Sequence, residues 1–261
     1  MNPLDVQLAK LAAGQHSVVT RRQALSLGMT HRQVDRRVQA GGFTVLHPST
    51  YALAGARRTY EQSLMAACLA TGGVASHRAA AYLWRLRGIE DPPVEITVPG
   101  RQRPRLHGVI VHRSALLVPA HVTRRHGIPV TKPALTILDL GAVVPELVEG
   151  AAEDALFKKL LRVDGLRRAL AEYGAPGRGG TLVLRKLLLA RDPLQAPTES
   201  RLEDEIVAVL RRFGLPEPVR QHPVPRPGRK PYRLDISYPE VLVDIEGNGQ
   251  RWHTSTRDIR R

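Results

Sequence analysis

The stretch from Val18 to Leu53 leaves a folding chain few choices. Thr20 precedes RRQALSLG, a short helix-forming run that stops at Gly28, and Thr30 precedes the longer HRQVDRRVQAGG. A threonine before each run supplies the side-chain oxygen that a helix N-terminus needs, and glycine takes the left-handed turn that ends one. Two β-prone pieces follow, Phe43–Leu46 and Tyr51–Leu53, separated by the turn HPST. Upstream, Leu4, Val6, Leu8, Leu11 and Ala12 make an apolar helix face that ends near Gly14. Helix, short helix, turn, helix and hairpin in this order predict a winged helix-turn-helix.

Val34 and Val38 are one turn apart and face inward, so the third helix turns His31, Arg32, Gln33, Arg36, Arg37 and Gln39 to solvent. Arginine forks onto guanine, glutamine onto adenine, and the remainder suit phosphates. Arg21 and Arg22 occupy the first turn of the second helix, which in such a fold crosses the nucleic-acid backbone. The expected DNA-contacting set is Arg21, Arg22, Arg32, Gln33, Arg36 and Arg37; the bland alternative is a solvated basic face on a small helical domain.

Charge points the same way. The 261 residues carry a formal net charge of +15, with 33 arginines against six lysines. Residues 1–58 hold eight Lys/Arg and two Asp/Glu, residues 59–190 hold 18 and 11, and residues 191–261 hold 13 and 11. Cations are densest at the front, and carboxylates gather at the end. Nucleic acid is the expected partner; a solvated basic surface, an acidic protein partner or a composition set by GC-rich codons are the competing explanations.

The segment VVTRRQALSLGMTHRQVDRRVQAGGFTVLHPSTYAL resembles the N-terminal winged-helix domain of AbiEi-type antitoxins of bacterial abortive-infection, toxin–antitoxin systems. The resemblance implies operator binding, autoregulation and a cognate toxin.

Other classes lack support. No Walker loop, GxSxG, HExxH or GxGxxG is present, and GAPGRGG (residues 174–180) lacks the Lys-Ser/Thr of a phosphate loop and reads as a linker. Cys68 is the single cysteine, which excludes internal disulfides and Cys-cluster zinc sites and reads as a small buried apolar residue. No apolar run reaches a membrane-spanning length, and MNPLDVQLAK lacks signal-peptide order, so a cytoplasmic protein without membrane contact is expected. Turn-rich seams at Gly55–Thr59 and Ala190–Pro197 suggest three domains, 1–58, 59–190 and 191–261.

In the middle region, Tyr60–Ala70, Ser76–Leu86, Val130–Leu140 and Glu146–Tyr173 read as helices, and Val94–Pro99 and Gly108–His112 as paired strands. Arg101, Arg103 and Arg105 fall in the loop between those strands, and His107, His112, His121 and His126 have no metal-binding spacing. This region is expected to be a helical and β connector without assigned chemistry.

The C-terminal region carries the acids. Thr198 caps the run ESRLEDEIVAVLRRFG, with Leu202, Ile206, Val209 and Leu210 on one face and Gly214 at its end. Asp235 lies in RLDISY, and Asp244 and Glu246 alternate with apolar residues in VLVDIEG, so a hairpin brings three carboxylates together. Such a cluster needs a cation, and Mg²⁺ or Mn²⁺ held there activates water for phosphodiester cleavage. Asp235, Asp244 and Glu246 are the expected metal ligands, with Glu199 adding a ligand and His253 transferring protons. Each acid alone also suits a first-turn helix acid or a sheet-edge guard. From residue 190 onward, APTESRLEDEIVAVLRRFGLPEPVRQH and YRLDISYPEVLVDIEGNGQRWHTS look like the very-short-patch-repair-like endonucleases with a PD-(D/E)xK core. That likeness implies Glu199, Asp235, Asp244, Glu246 and His253 as catalytic residues. Here the acid pair runs Asp-x-Glu, where many relatives have Glu-x-Asp. It also implies a further basic helix and strand, of which only Asp258 and Arg260 match the beginning.

The expected fold class is therefore α/β (α+β), with a winged helix-turn-helix, a connector, and a restriction-endonuclease-like αβββ core lacking its last helix and strand. The leading functional expectation is a DNA-binding protein with Mg²⁺-dependent endonuclease activity. The alternative is a non-catalytic antitoxin or transcriptional regulator. Neither the DNA sequence recognised nor the oligomeric state is legible.

Overall fold

The computed structural model describes residues 3–100, 104–190, 199–226 and 229–246. Its described residues form ten α-helices and three sheets of mixed α/β character. They fall into two compact units, Met1–Leu189 and Ala190–Arg261.

The first unit begins with α1 (Pro3–Ala13), β1 (Val18–Thr20), α2 (Arg21–Ser26), α3 (His31–Gln39) and the hairpin β2 (Phe43–His47) and β3 (Thr50–Leu53). Both expected caps are present, each as a reciprocal box. The Thr20 hydroxyl accepts from the Gln23 backbone while the Gln23 side chain accepts from the Thr20 N–H, and Thr30 and Gln33 repeat the pattern. Val34 is buried against Leu8, Ala12, Val19, Ala24, Met29, Phe43 and Tyr51. A short strand joins these elements: β1 pairs antiparallel with β3, giving a sheet of order β1-β3-β2.

The same unit continues with α4 (Tyr60–Thr71), β4 (Val74–Ala75), α5 (His77–Leu83), β5 (Val94–Pro99), β6 (Val109–Ser114), β7 (Val122–Arg125) and β8 (Ile128–Thr131). The strands form a five-stranded sheet in the order β6-β5-β4-β8-β7, with β5 and β6 parallel. Val18 shares a core with Leu64, Met65, Ile96 and Val130, so the winged helix packs directly on this sheet and α4. Gln62 Nε2 donates to the His16 carbonyl at 3.2 Å, and His16 Nε2 to the His126 carbonyl at 2.7 Å. Cys68 lies in that core, its thiol pushed up to about 12 by burial, as the packing reading expects.

Four helices complete the unit: α6 (Pro133–Leu140), α7 (Val148–Phe157), α8 (Val163–Tyr173) and α9 (Thr181–Ala190). Two sequence expectations change here. Val130 belongs to a strand, because Pro133 fixes the first helical position of α6 two residues after β8 ends. The expected single helix Glu146–Tyr173 is two, broken after Phe157 where Lys159 takes a positive φ of 55°. GAPGRGG is likewise no free linker. A Cβ on Gly180 would lie 1.9 Å from the Leu138 carbonyl oxygen, and one on Gly179 would lie 2.6 Å from Ala142 Cβ. Those glycines let the loop press against the end of α6.

The second unit runs α10 (Glu199–Arg212), β9 (Val219–Arg226), β10 (Arg229–Tyr238) and β11 (Val243–Ile245), an antiparallel sheet in the order β11-β10-β9. The Pro-rich connection expected after α10 is itself strand β9. On α10, Val207 is buried and Val209 exposed, which rotates the apolar face from the expected one. The buried Glu203 on this helix accepts from Gln221 Nε2 at 2.7 Å. No helix among the described residues is long and apolar enough to cross a membrane.

Candidate functional site

The capped helices divide the six expected DNA-contacting residues into two groups. Arg21 ion-pairs with Asp35 of α3, and its Nε donates to Tyr51 Oη at 3.0 Å. The guanidinium holds the Asp35 carboxyl below the usual carboxylate range. Arg37 ion-pairs with Asp5 of α1 and sits over the Phe43 ring, 5.7 Å from its centroid. Gln33 spends its side-chain oxygen on the Thr30 N–H at 2.7 Å. These three side chains brace α1, α2, α3 and the hairpin.

Arg22, Arg32 and Arg36 are exposed, and none of them makes an ion pair among the described residues. Arg32 and Arg36 are one turn apart on α3, so their guanidinium groups project from the same helix face. His31 and Gln39 are exposed on this helix as well. The hairpin adds no Lys or Arg between Phe43 and Leu53. Its His47 is held below the usual histidine range by burial and by neighbouring His107.

The expected metal ligands sit on the hairpin of the second unit. Asp244 pairs opposite Ser237, and Asp235 lies two residues before Ser237, so both aspartates share a face. Asp244 and Glu246 are exposed, and Glu246 accepts from Tyr232 Oη at 2.6 Å. Among the described residues, Asp235, Asp244 and Glu246 do not place three ligand oxygens within 4.8 Å of one another. Glu199 opens α10, with its side chain outside the described residues, and His253 also lies outside them.

A different trio does come together. Ligand atoms of His77, Glu95 and His112 lie within 4.8 Å of one another. Glu95 is fully buried on β5; Arg78 Nε donates to one of its oxygens at 3.0 Å, and His112 Nε2 contacts the other at 2.7 Å. Burial opposes its ionisation, but the hydrogen bonds from His112 and Arg78 prevail and hold the carboxyl at about 2. The His77 and His112 rings stack at 3.7 Å between centroids. Sequence spacing could not place these residues together, since they lie on α5, β5 and β6. The one local signal was a charged glutamate inside the strand VEITVP.

A hairpin packed behind two capped helices, the second presenting exposed arginines, is the arrangement of a winged helix-turn-helix. Residues 6–54 match the family described as "Transcriptional regulator, AbiEi antitoxin". The chain is similar to the uncharacterized protein Rv2248 of Mycobacterium tuberculosis strain ATCC 25618 / H37Rv, with 26% identity over 235 residues, 89% of this chain and 83% of that protein. The uncharacterized protein MT2308 of strain CDC 1551 / Oshkosh matches with the same figures. Among solved structures, the crystal structure of the RV2827C protein from Mycobacterium tuberculosis matches with a TM-score of 0.37 and 19% identity, covering 74% of this chain and 81% of that one.

Proposed function

We propose that this protein is a DNA-binding transcriptional regulator of the antitoxin type. Arg32 and Arg36 of α3 enter the major groove, and Arg22 of α2 holds a backbone phosphate. The observation that carries this reading is the group of three exposed arginines, without an ion pair among the described residues, on the helix-turn-helix that matches the AbiEi family. Arg21, Arg37 and Gln33 hold the helices in position and make no base contact. The physics fits, because free guanidinium groups are available for phosphate or guanine without first breaking an internal pair. A family of antitoxins implies a cognate toxin as a second partner. The test is binding of the purified chain to DNA from upstream of its own gene, compared with unrelated DNA of equal length. Tighter binding to the upstream DNA supports the reading, and equal affinity for both contradicts it.

A second reading, Mg²⁺-dependent DNA cleavage, draws on Asp235 and Asp244 sharing one face of the hairpin in an α-β-β-β succession. In that reading Asp235, Asp244 and Glu246 hold the ion, assisted by Glu199 and His253. Incubation with plasmid DNA and Mg²⁺ or Mn²⁺ tests it: nicking that Asp235→Ala abolishes supports it, and intact plasmid contradicts it.

A further inference from the structure

A cavity of about 330 Å³ opens in the first unit, lined by His77, Thr97, His112, Ser114, Asp139 and Arg178, with Leu117 and Leu135 supplying an apolar wall. Arg113 and Arg178 bring guanidinium groups to its polar side. Arg178, carried in by the glycine loop, donates to the Tyr173 carbonyl at 3.1 Å and reaches Asp139 only at a long 3.4 Å. Among the described residues, most of its five N–H groups are therefore uncommitted. His77 is only 7% exposed, yet one ring nitrogen has no partner among the described residues. Its Nδ1 is taken by Ser76 Oγ at 3.0 Å, and Ser76 is fixed in turn by Thr97 at 2.8 Å. A positive φ of 51° holds His77 at the start of α5, a conformation that costs energy and is kept by its surroundings.

A metal ion suits this wall less well. Both Glu95 oxygens are already shared between Arg78 and His112. The His77 and His112 rings are stacked, 20° apart in plane, and His112 Nε2 is already engaged with Glu95. Burial first, then neighbouring His112, Arg178 and Arg78, oppose protonation of His77 and push it down to about 3, while Glu95 acts the other way. Asp139, a carboxyl on the cavity wall, is itself pushed up to about 7 by burial.

We propose that this cavity binds a small organic oxyanion, its charged head seated on the spare N–H groups of Arg178 and on His77 Nε2–H, the donor left when Nδ1 accepts from Ser76 Oγ, its body against Leu117 and Leu135. This inference does not depend on DNA binding.

The test uses the full chain and inorganic phosphate, with acetate as the carboxylate probe and Zn²⁺ as the cation probe. Phosphate or acetate is expected to give saturable binding by calorimetry and to shift the His77 ring resonances in nitrogen–proton spectra. Arg178→Gln is expected to weaken binding at least tenfold, and Arg178→Lys to keep part of it. If Arg178→Gln does not fold, the wild-type spectra decide. Unmoved His77 resonances under saturating phosphate and acetate overturn the proposal. So does an equal response in folded Arg178→Gln, which would mark a general salt effect. A stoichiometric response to Zn²⁺ with none to either anion also overturns it.

Discussion

The side-chain oxygen of Gln33 lies 2.7 Å from the backbone N–H of Thr30, closing the capping box that starts α3. A residue type suited to reading adenine is thereby committed to its own helix. Gln33→Ala is expected to lower unfolding stability by about 1 kcal/mol. Gln33→Glu is expected to keep it, since glutamate closes the same box. Urea denaturation of the three proteins checks this.

Glu95 gives the protein an acid-labile joint. Its folded carboxyl is held at about 2 against an ordinary 4.5. A depressed carboxylate contributes stability that is present above the unfolded value and is lost as pH falls from about 4.5 to about 2. Glu95→Gln removes that contribution and leaves Arg78 without its buried acceptor, at a cost of about 3 kcal/mol near neutrality. Melting temperatures at neutral and acid pH should converge for the two proteins, the wild type losing more on acidification.

Asp139 acts in the opposite sense. Burial pushes its carboxyl up to about 7, with Arg178 and His112 pulling it down and Glu95 adding to the rise. A carboxyl that is easier to protonate when folded favours the fold below its unfolded value of 3.8, and that advantage is lost as pH rises to about 7. Asp139→Asn should therefore reduce the stability lost between those limits, read as a smaller drop in melting temperature from acid to neutral pH.

Gly180 and Gly177 sit three residues apart in one loop, both at positive φ, +82° and +77°. Alanine at Gly177 meets nothing within 4 Å and pays only the left-handed strain, about 1 kcal/mol. Alanine at Gly180 also drives a methyl into the Leu138 carbonyl, so it should cost about 3 kcal/mol or prevent folding. Parallel thermal melts separate the two.

Much of the winged helix could be read from local chemistry. Thr20 and Thr30 announce helix starts, and Val34 a turn from Val38 marks the inward face, because capping and burial act within a few residues. What escaped was decided by pairing over distance. Pro223 and Pro225 disguise β9, since they lack the N–H a ladder uses; among the described residues β9 is an edge strand paired with β10 alone and tolerates them. The roles of Arg21 and Arg37 depend on Asp35 and Asp5, so their basic character alone could not separate bracing from contact. His77, Glu95 and His112 meet through the parallel register of β5 and β6, and the tight seat of GAPGRGG needs α6 against it. Apart from the glutamate in VEITVP, neither leaves a mark on nearby residues.

The assignment of Arg32 and Arg36 to DNA is the central claim. Affinity for DNA from upstream of the gene, measured from about 50 to 200 mM salt, tests it most directly. Arg32→Ala with Arg36→Ala should weaken binding at least tenfold at unchanged melting temperature, and should flatten the slope of log affinity against log salt by up to about 2. The same affinity and slope as the wild type would contradict the account.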